Sequence, residues 1–420
     1  MSMRGRTVTW LAAAFLGLFA LHAEAANWPQ FGGVDRDSTS SETGIIQTWP
    51  EGGPEKLWTV ELGAGFGAPV VYEDRVYLLD REVGKSHTLR CFALGSGEEQ
   101  WSYTWESEGG VPVSGSRSQP LVNEDYVFAV GARGRVFCFD RETHEPAWKM
   151  NLLEQYGGEL PRWGISQSPL TYQDWVILAP HGSEAGVVAL DQDTGQEAWA
   201  SQPFEKRERG SYTSPMLETI DGVKQVLYTT PDVTAGIKAD TGEVLWRHKN
   251  WKCKIPIVSP VKVSSNKILI TGGYGAGTEM FRVEKTDESF GTSTLWTTDA
   301  CNCQIHQPLI YQNHIYIIGN SNERNDGLMC IDMDGNVQWQ TARDPNFGRG
   351  GLIRVGDRIL AMDDPKGDLV LIEPSPDGYQ ELGRRNYLDR PKIWGPLVLS
   401  DGRLLMRDQK KMVCVDVRTE

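Results

Sequence analysis

An eleven-residue cassette returns about eight times along this chain, and a repeat of that regularity constrains the fold more than any other feature. Its clearest copy is ALDQDTGQEAW at 189–199. Related copies occupy 236–246, 138–148 and 330–339, and weaker ones end at Trp101 and Trp296. The marker tryptophans fall at 58, 101, 148, 199, 246, 296 and 339, a spacing of 43 to 51 residues. Runs of Val, Phe and Tyr broken by Gly, Asn and Asp fill each interval, which is the pattern of short strands joined by hairpins. A period of roughly 40 to 50 residues built from such strands predicts the four-stranded blades of a propeller. Within the cassette, Thr-Gly reads as a turn whose Gly supplies a positive φ, and the Trp as a ring packed against the next blade. The cassettes are read as structural, and no chemistry is assigned to them.

The chain ends suggest how the ring closes. The last copy, at 412–420, stops on its turn with no Trp strand after it, whereas PEKLWTV at 54–60 is a Trp strand with no cassette before it. Pairing the two would complete the final blade and remove the free edges of an open sheet. The seventh repeat is the weakest, with Asp377-Gly378 leading to Leu382 in the Trp position. The expected fold is all-β: an eight-bladed β-propeller closed by its N-terminal and C-terminal segments. Its organisation is read as a signal peptide at 1–25, an N-terminal extension at 26–53 and a single propeller at 54–420.

The signal reading rests on Arg4 and Arg6, an apolar stretch at 11–21 and Ala-Glu-Ala at 23–25. That stretch is short for a membrane span, and no other segment approaches one. No Cys lies near the cleavage site, so no lipid anchor is expected, and the mature protein reads as a soluble, periplasmic monomer. With 42 Lys and Arg against 56 Asp and Glu, the formal charge is −14, which argues against a nucleic-acid partner.

Seven cysteines divide by position. Cys91, Cys138, Cys330 and Cys414 share a slot that Ala189 and Gly236 fill in other copies, so they read as small buried hydrophobes. Cys253 and Cys301 each lie seven residues before a recurring Pro on consecutive blades. An inter-blade disulfide between them is the expectation in an oxidising compartment, with free thiols, or a soft metal site of Cys253, Cys301, Cys303 and His306, as alternatives.

The recurring residue at the start of each innermost strand is Pro69, Pro120, Pro169, Pro215, Pro260, Pro308, Leu352 and Pro396. The eight residues before each marker carry a combined formal charge of +5, within an acidic body. A channel mouth of one sign focuses field on an opposite charge. Arg117, Arg162, Arg209, Lys252, Lys254, Arg349 and Lys392 contribute the positive groups, and Trp163, Tyr212, His306 and Trp394 lie in the same segments. Arg117, Trp163, Tyr212, Lys254, His306, Arg349 and Trp394 are the candidate ligand residues, since guanidinium binds carboxylate bidentately and aromatic rings supply flat contact. The alternative is that these are solvated loop charges, with Gln119, Gln307, Ser168, Ser214 and Ser259 merely ending strands. No Gly-x-Ser-x-Gly elbow or phosphate-cradling loop is present, and the Gly-rich run at 272–277 reads as a hairpin.

The cassette resembles the quinoprotein (PQQ-like) repeat, and WPQFGG at 28–33 is similar to the W-P-x-F-R-G start of bacterial members, with Gly32 where Arg is usual. The resemblance spans roughly 27–420 and implies the eight-bladed fold. It leaves two branches: quinone-dependent dehydrogenases and non-enzymatic propellers of the BamB type. The first branch implies adjacent cysteines over the quinone and calcium held by Glu, Asn and Asp beside a catalytic Asp. Cys301-Asn302-Cys303 is the nearest approach to the cysteine pair, and no segment matches the calcium set. The BamB branch implies a lipid anchor, and this sequence has no Cys near the expected cleavage site to carry one. The functional expectation is an exported, non-enzymatic scaffold that binds other exported or envelope proteins, or an anionic small ligand or acidic peptide at its mouth. No cofactor, no metal and no catalytic residue is expected; PQQ binding, with or without dehydrogenase activity, is the alternative, and action on acidic glycans a third.

Overall fold

The computed structural model describes residues 26–107, 109–112, 115–204, 210–287, 289–389 and 391–419. Arg209 and the expected signal at 1–25 lie outside them. Eight antiparallel sheets follow one another as blades of a propeller. The first comprises Val70–Tyr72, Arg75–Glu82, Ser86–Ala93 and Glu99–Glu106. Later blades begin with the inner strands Leu121–Val122, Leu170–Tyr172, Met216–Ile220, Val261–Lys262, Leu309–Tyr311, Leu352–Val355 and Val398–Ser400. No helix among the described residues is long and apolar enough to cross a membrane.

The cassette works through one contact repeated around the ring. In the third blade Ala189 pairs with Trp199, and the register shifts immediately afterwards. Gly236, Cys91, Cys138, Cys330 and Cys414 face Trp246, Trp101, Trp148, Trp339 and Trp58 in the same way. A small residue there leaves room for the indole beside it. The indole also reaches the following blade: Trp148 Nε1 donates to Gln192 O at 2.7 Å and Trp58 Nε1 to Leu94 O at 2.9 Å. Gly195 turns the cassette at φ +70°, and a Cβ there would stand 2.7 Å from the Trp148 ring. Glycine is therefore required twice at this position, for the left-handed backbone and for the ring lying on it. Asp191 Oδ1 accepts from both Thr194 N and Thr194 Oγ1, which fixes the turn.

Closure occurs as the end segments suggested. Glu55–Glu61 pairs antiparallel with Lys411–Asp416, and Trp58 lies opposite Cys414. The seventh blade corrects one assignment. Leu371 pairs with Gly383 at the register shift, so Gly383 and not Leu382 holds the position of the marker Trp. Size is exchanged across the pair, with a large residue facing a small one. The ring of Trp49 packs on Gly383, leaving no room for a Cβ, which would sit 2.9 Å from it.

Residues 26–53, expected as an extension ahead of the propeller, are threaded into it. Trp28 exchanges both backbone hydrogen bonds with Val71 of the first blade, and Pro29 O accepts from Val122 N of the second. Arg36 donates to Pro169 O at 2.8 Å and Pro215 O at 2.9 Å, joining the third and fourth blades. Thr39–Ser40 then adds a parallel strand to the inner edge of the seventh. Backbone groups on the exposed inner edges need partners, and this strap supplies them while crossing the channel. The serines before the prolines join neighbouring blades: Ser168 Oγ accepts from Gln119 N, Ser214 Oγ from Ser168 N and Ser259 Oγ from Ser214 N, at 2.9–3.0 Å. Those serines are structural.

Candidate functional site

The strap turns the channel mouth into a blind cavity of about 330 Å³. Trp28, Phe31, Gly32 and Ser38 of the strap line its floor, and the segments preceding the inner strands line its walls together with Tyr274 and Asn322. On one side four groups are layered. The Arg117 guanidinium lies 5.4 Å over Phe66, Phe66 stacks on Trp394 at 5.2 Å, and Arg349 lies 5.4 Å over Trp394. A cation over a ring face is attracted by the ring quadrupole, so two aromatic rings hold two guanidiniums at one wall. Trp163 and Tyr212 pack at 5.6 Å elsewhere on the lining.

Arg349 is aimed by two amide oxygens, donating from Nε to Gln304 at 3.0 Å and from Nη2 to Asn322 at 2.5 Å. Its side chain forms no ion pair among the described residues. Behind it, Asp364 accepts from Ile393 N, Trp394 Nε1 and Arg349 N, which fixes the backbone and the indole. Arg117 donates to Trp163 O at 2.7 Å and Gly115 O at 3.3 Å. Burial lowers Arg117 to about 10, so it stays cationic at neutral pH. His306 is pushed down to about 4 by burial, and its Nε2 meets Arg349 O at 3.0 Å. It is neutral near pH 7, and that contact has Nε2 carrying the proton. Beneath the floor Arg36, 3% exposed and 5.4 Å over Phe31, is lowered to about 9 by desolvation. No Asp, Glu or Cys is among the residues lining the cavity.

Six of the seven candidate ligand residues meet here: Arg117, Trp163, Tyr212, His306, Arg349 and Trp394. Lys254 does not. It is exposed and outside the lining, as are Lys252 and Lys392, whereas Arg162, also outside the lining, lies 5.3 Å over the ring of Trp163. The expected disulfide is also absent, and Cys253 and Cys301 are free buried thiols. They pack in different cores, Cys253 with Trp246 and Phe281 and Cys301 with Met280 and Ile315. The fifth blade thus keeps them apart. Sequence reasoning missed Phe66, Tyr274 and Asn322. Tyr274 sits at φ +62° in the Gly-rich hairpin, and that hairpin was its available signal.

A ring of eight such blades with its channel closed by its own N-terminal strap defines the class: a PQQ-like repeat β-propeller. The chain belongs to the family described as outer membrane protein assembly factor BamB, whose model matches residues 85–340 and 232–420. The solved BamB of Moraxella catarrhalis superposes with a TM-score of 0.60 at 13% identity, covering 86% of this chain and 97% of that one. Quinohemoprotein alcohol dehydrogenase of Comamonas testosteroni gives 0.64 at 13% identity, covering 93% and 80%. Quinoprotein alcohol dehydrogenase PedH of Pseudomonas putida KT2440 is 26% identical over 156 residues, which is 35% of this chain and 24% of that protein. At such identities the two structures speak for the fold alone.

Proposed function

We propose that this chain is an exported, non-enzymatic propeller that binds a small anionic ligand in the blind channel mouth. One observation carries the reading: two guanidiniums, Arg117 and Arg349, enter an aromatic cavity whose lining includes no carboxylate. A concave site of this size with a few convergent polar groups is the usual form of a small-ligand pocket, and an enclosed positive potential selects anions. The strap closes the channel below, so an acidic peptide would enter only by its end. His306 is neutral and tied to a backbone carbonyl, which supplies no poised acid or base.

Similarity to quinoprotein dehydrogenases raises a second reading, and the donor set lends no support to its metal-assisted form. Calcium takes oxygen ligands, carboxylates foremost. The lining of the cavity includes no carboxylate, and no group of three His, Cys, Asp or Glu among the described residues could hold a metal. The residues present do not fit that group. Calorimetric titration with small organic carboxylates and the matching neutral amides tests the proposal. Saturable binding of carboxylates alone, lost in Arg349→Gln, is expected. Equal heats for acid and amide, or binding indifferent to Arg349→Gln, would overturn it.

A further inference from the structure

The cavity holds polar atoms that neither the fold nor the two guanidiniums use. Gln119 Oε1, Gln307 Oε1 and Ser166 Oγ are buried at the lining with no hydrogen-bond partner. Buried acceptors are almost always satisfied, and each exception asks for an explanation, a bound ligand among them. Gln119 is 3% exposed and Gln307 6%. They precede the inner strands of the second and sixth blades, on opposite sides of an eight-bladed ring. The cavity therefore presents hydrogen-bond acceptors from two sides.

Other groups face the same space with the opposite capacity. Tyr212 OH accepts from Trp163 N, and Tyr274 OH accepts from Gln304 Nε2 at 3.1 Å and also meets the Asn322 side chain; as acceptors in these bonds, both hydroxyls keep a proton that can be donated. Arg349 spends Nε and one Nη2 bond on Gln304 and Asn322. Its Nη1 has no partner among the described residues, so one edge of the fork is open to a carboxylate. Trp28 and Trp163 offer flat apolar surface.

From this juxtaposition we infer that the ligand is a small polyhydroxylated carboxylate, a sugar acid of the uronate type, bound end-on. Its carboxylate meets the open edge of Arg349, its hydroxyls donate to Gln119 and Gln307 and accept from Tyr212 and Tyr274, and its C–H face lies on an indole. A planar aromatic acid satisfies the guanidinium and the rings but leaves both glutamine oxygens unpaired, and an unpaired buried acceptor is what a site built to hydrogen-bond discriminates against. The strap bars a polymer from threading the channel, so a glycan would present only its terminal residue.

The inference rests on the anion-binding reading, and the test separates the two. Quenching of tryptophan fluorescence is titrated with galacturonate, galactose and 4-hydroxybenzoate on the wild-type protein. Galacturonate is expected to bind at least tenfold more tightly than either of the others. Gln119→Leu and Gln307→Leu are expected to weaken galacturonate by about tenfold each and to leave 4-hydroxybenzoate unchanged. If 4-hydroxybenzoate binds as tightly as galacturonate, the sugar-acid assignment fails while the anion site stands. If neither acid binds, both fail. The wild-type comparison decides even where a variant does not fold.

Discussion

Two glycines with nearly the same backbone separate the contribution of a turn from that of the blade contact. Gly195 has φ +70° and Gly222 φ +77°. Alanine at either position meets the left-handed penalty of about 1–2 kcal/mol. At Gly222 nothing lies within 4 Å of the added Cβ, so the penalty ends there. At Gly195 the same atom would stand 2.7 Å from Cδ2 and 2.9 Å from Cε3 of Trp148. The indole cannot retreat without losing its bond to Gln192 O, worth about 1 kcal/mol. Repacking the ring adds roughly 1–3 kcal/mol. Gly195→Ala is therefore expected to destabilise by about 3–6 kcal/mol and Gly222→Ala by about 1–2. Urea unfolding followed by tryptophan fluorescence reads the difference as a midpoint shift at constant slope. Equal shifts for the two variants would refute the claim that the cassette glycine is dictated by the preceding blade's indole.

Acid sensitivity is expected from His87, which is 0% exposed and pushed down to about 3 by burial and then by the Arg81 charge. Because the folded value lies below the unfolded one, its stabilisation is complete above about pH 6.5 and is lost as pH falls toward 3, approaching about 1.4 kcal/mol per pH unit. Urea midpoints between pH 7 and 4 should fall less steeply in His87→Leu, and identical slopes would refute the assignment. Arg36→Met removes the donors to Pro169 O and Pro215 O. It should cost about 3 kcal/mol and open residues 26–46 to limited proteolysis, with an unchanged cleavage pattern as the contrary result.

What could be read from the chain was whatever repeats. The cassette gave the blades, the pairing of Trp58 opposite Cys414, and the segments before each Pro that bring six candidate residues to one cavity. What occurs once left no pattern to read. The strap docks through backbone hydrogen bonds and the Arg36 bonds to two carbonyls, which any sequence could accept, so the role of Arg36 and the blind floor were invisible. Trp49 fills the seventh blade from a distant part of the chain, and only the observed register shows that Gly383 holds the position. Lys254 was misplaced because a segment can face the channel while individual side chains alternate away from it. The disulfide failed for a related reason: equal offsets from two prolines place Cys253 and Cys301 on opposite sides of one blade.

A crystallographic map of the protein soaked with galacturonate tests the blind, positively charged mouth most directly. Density for the acid against Arg349 is expected, above a channel closed by Trp28, Phe31 and the Thr39–Ser40 strand. A channel open from face to face, with residues 26–46 lying outside it, would contradict the account at its root.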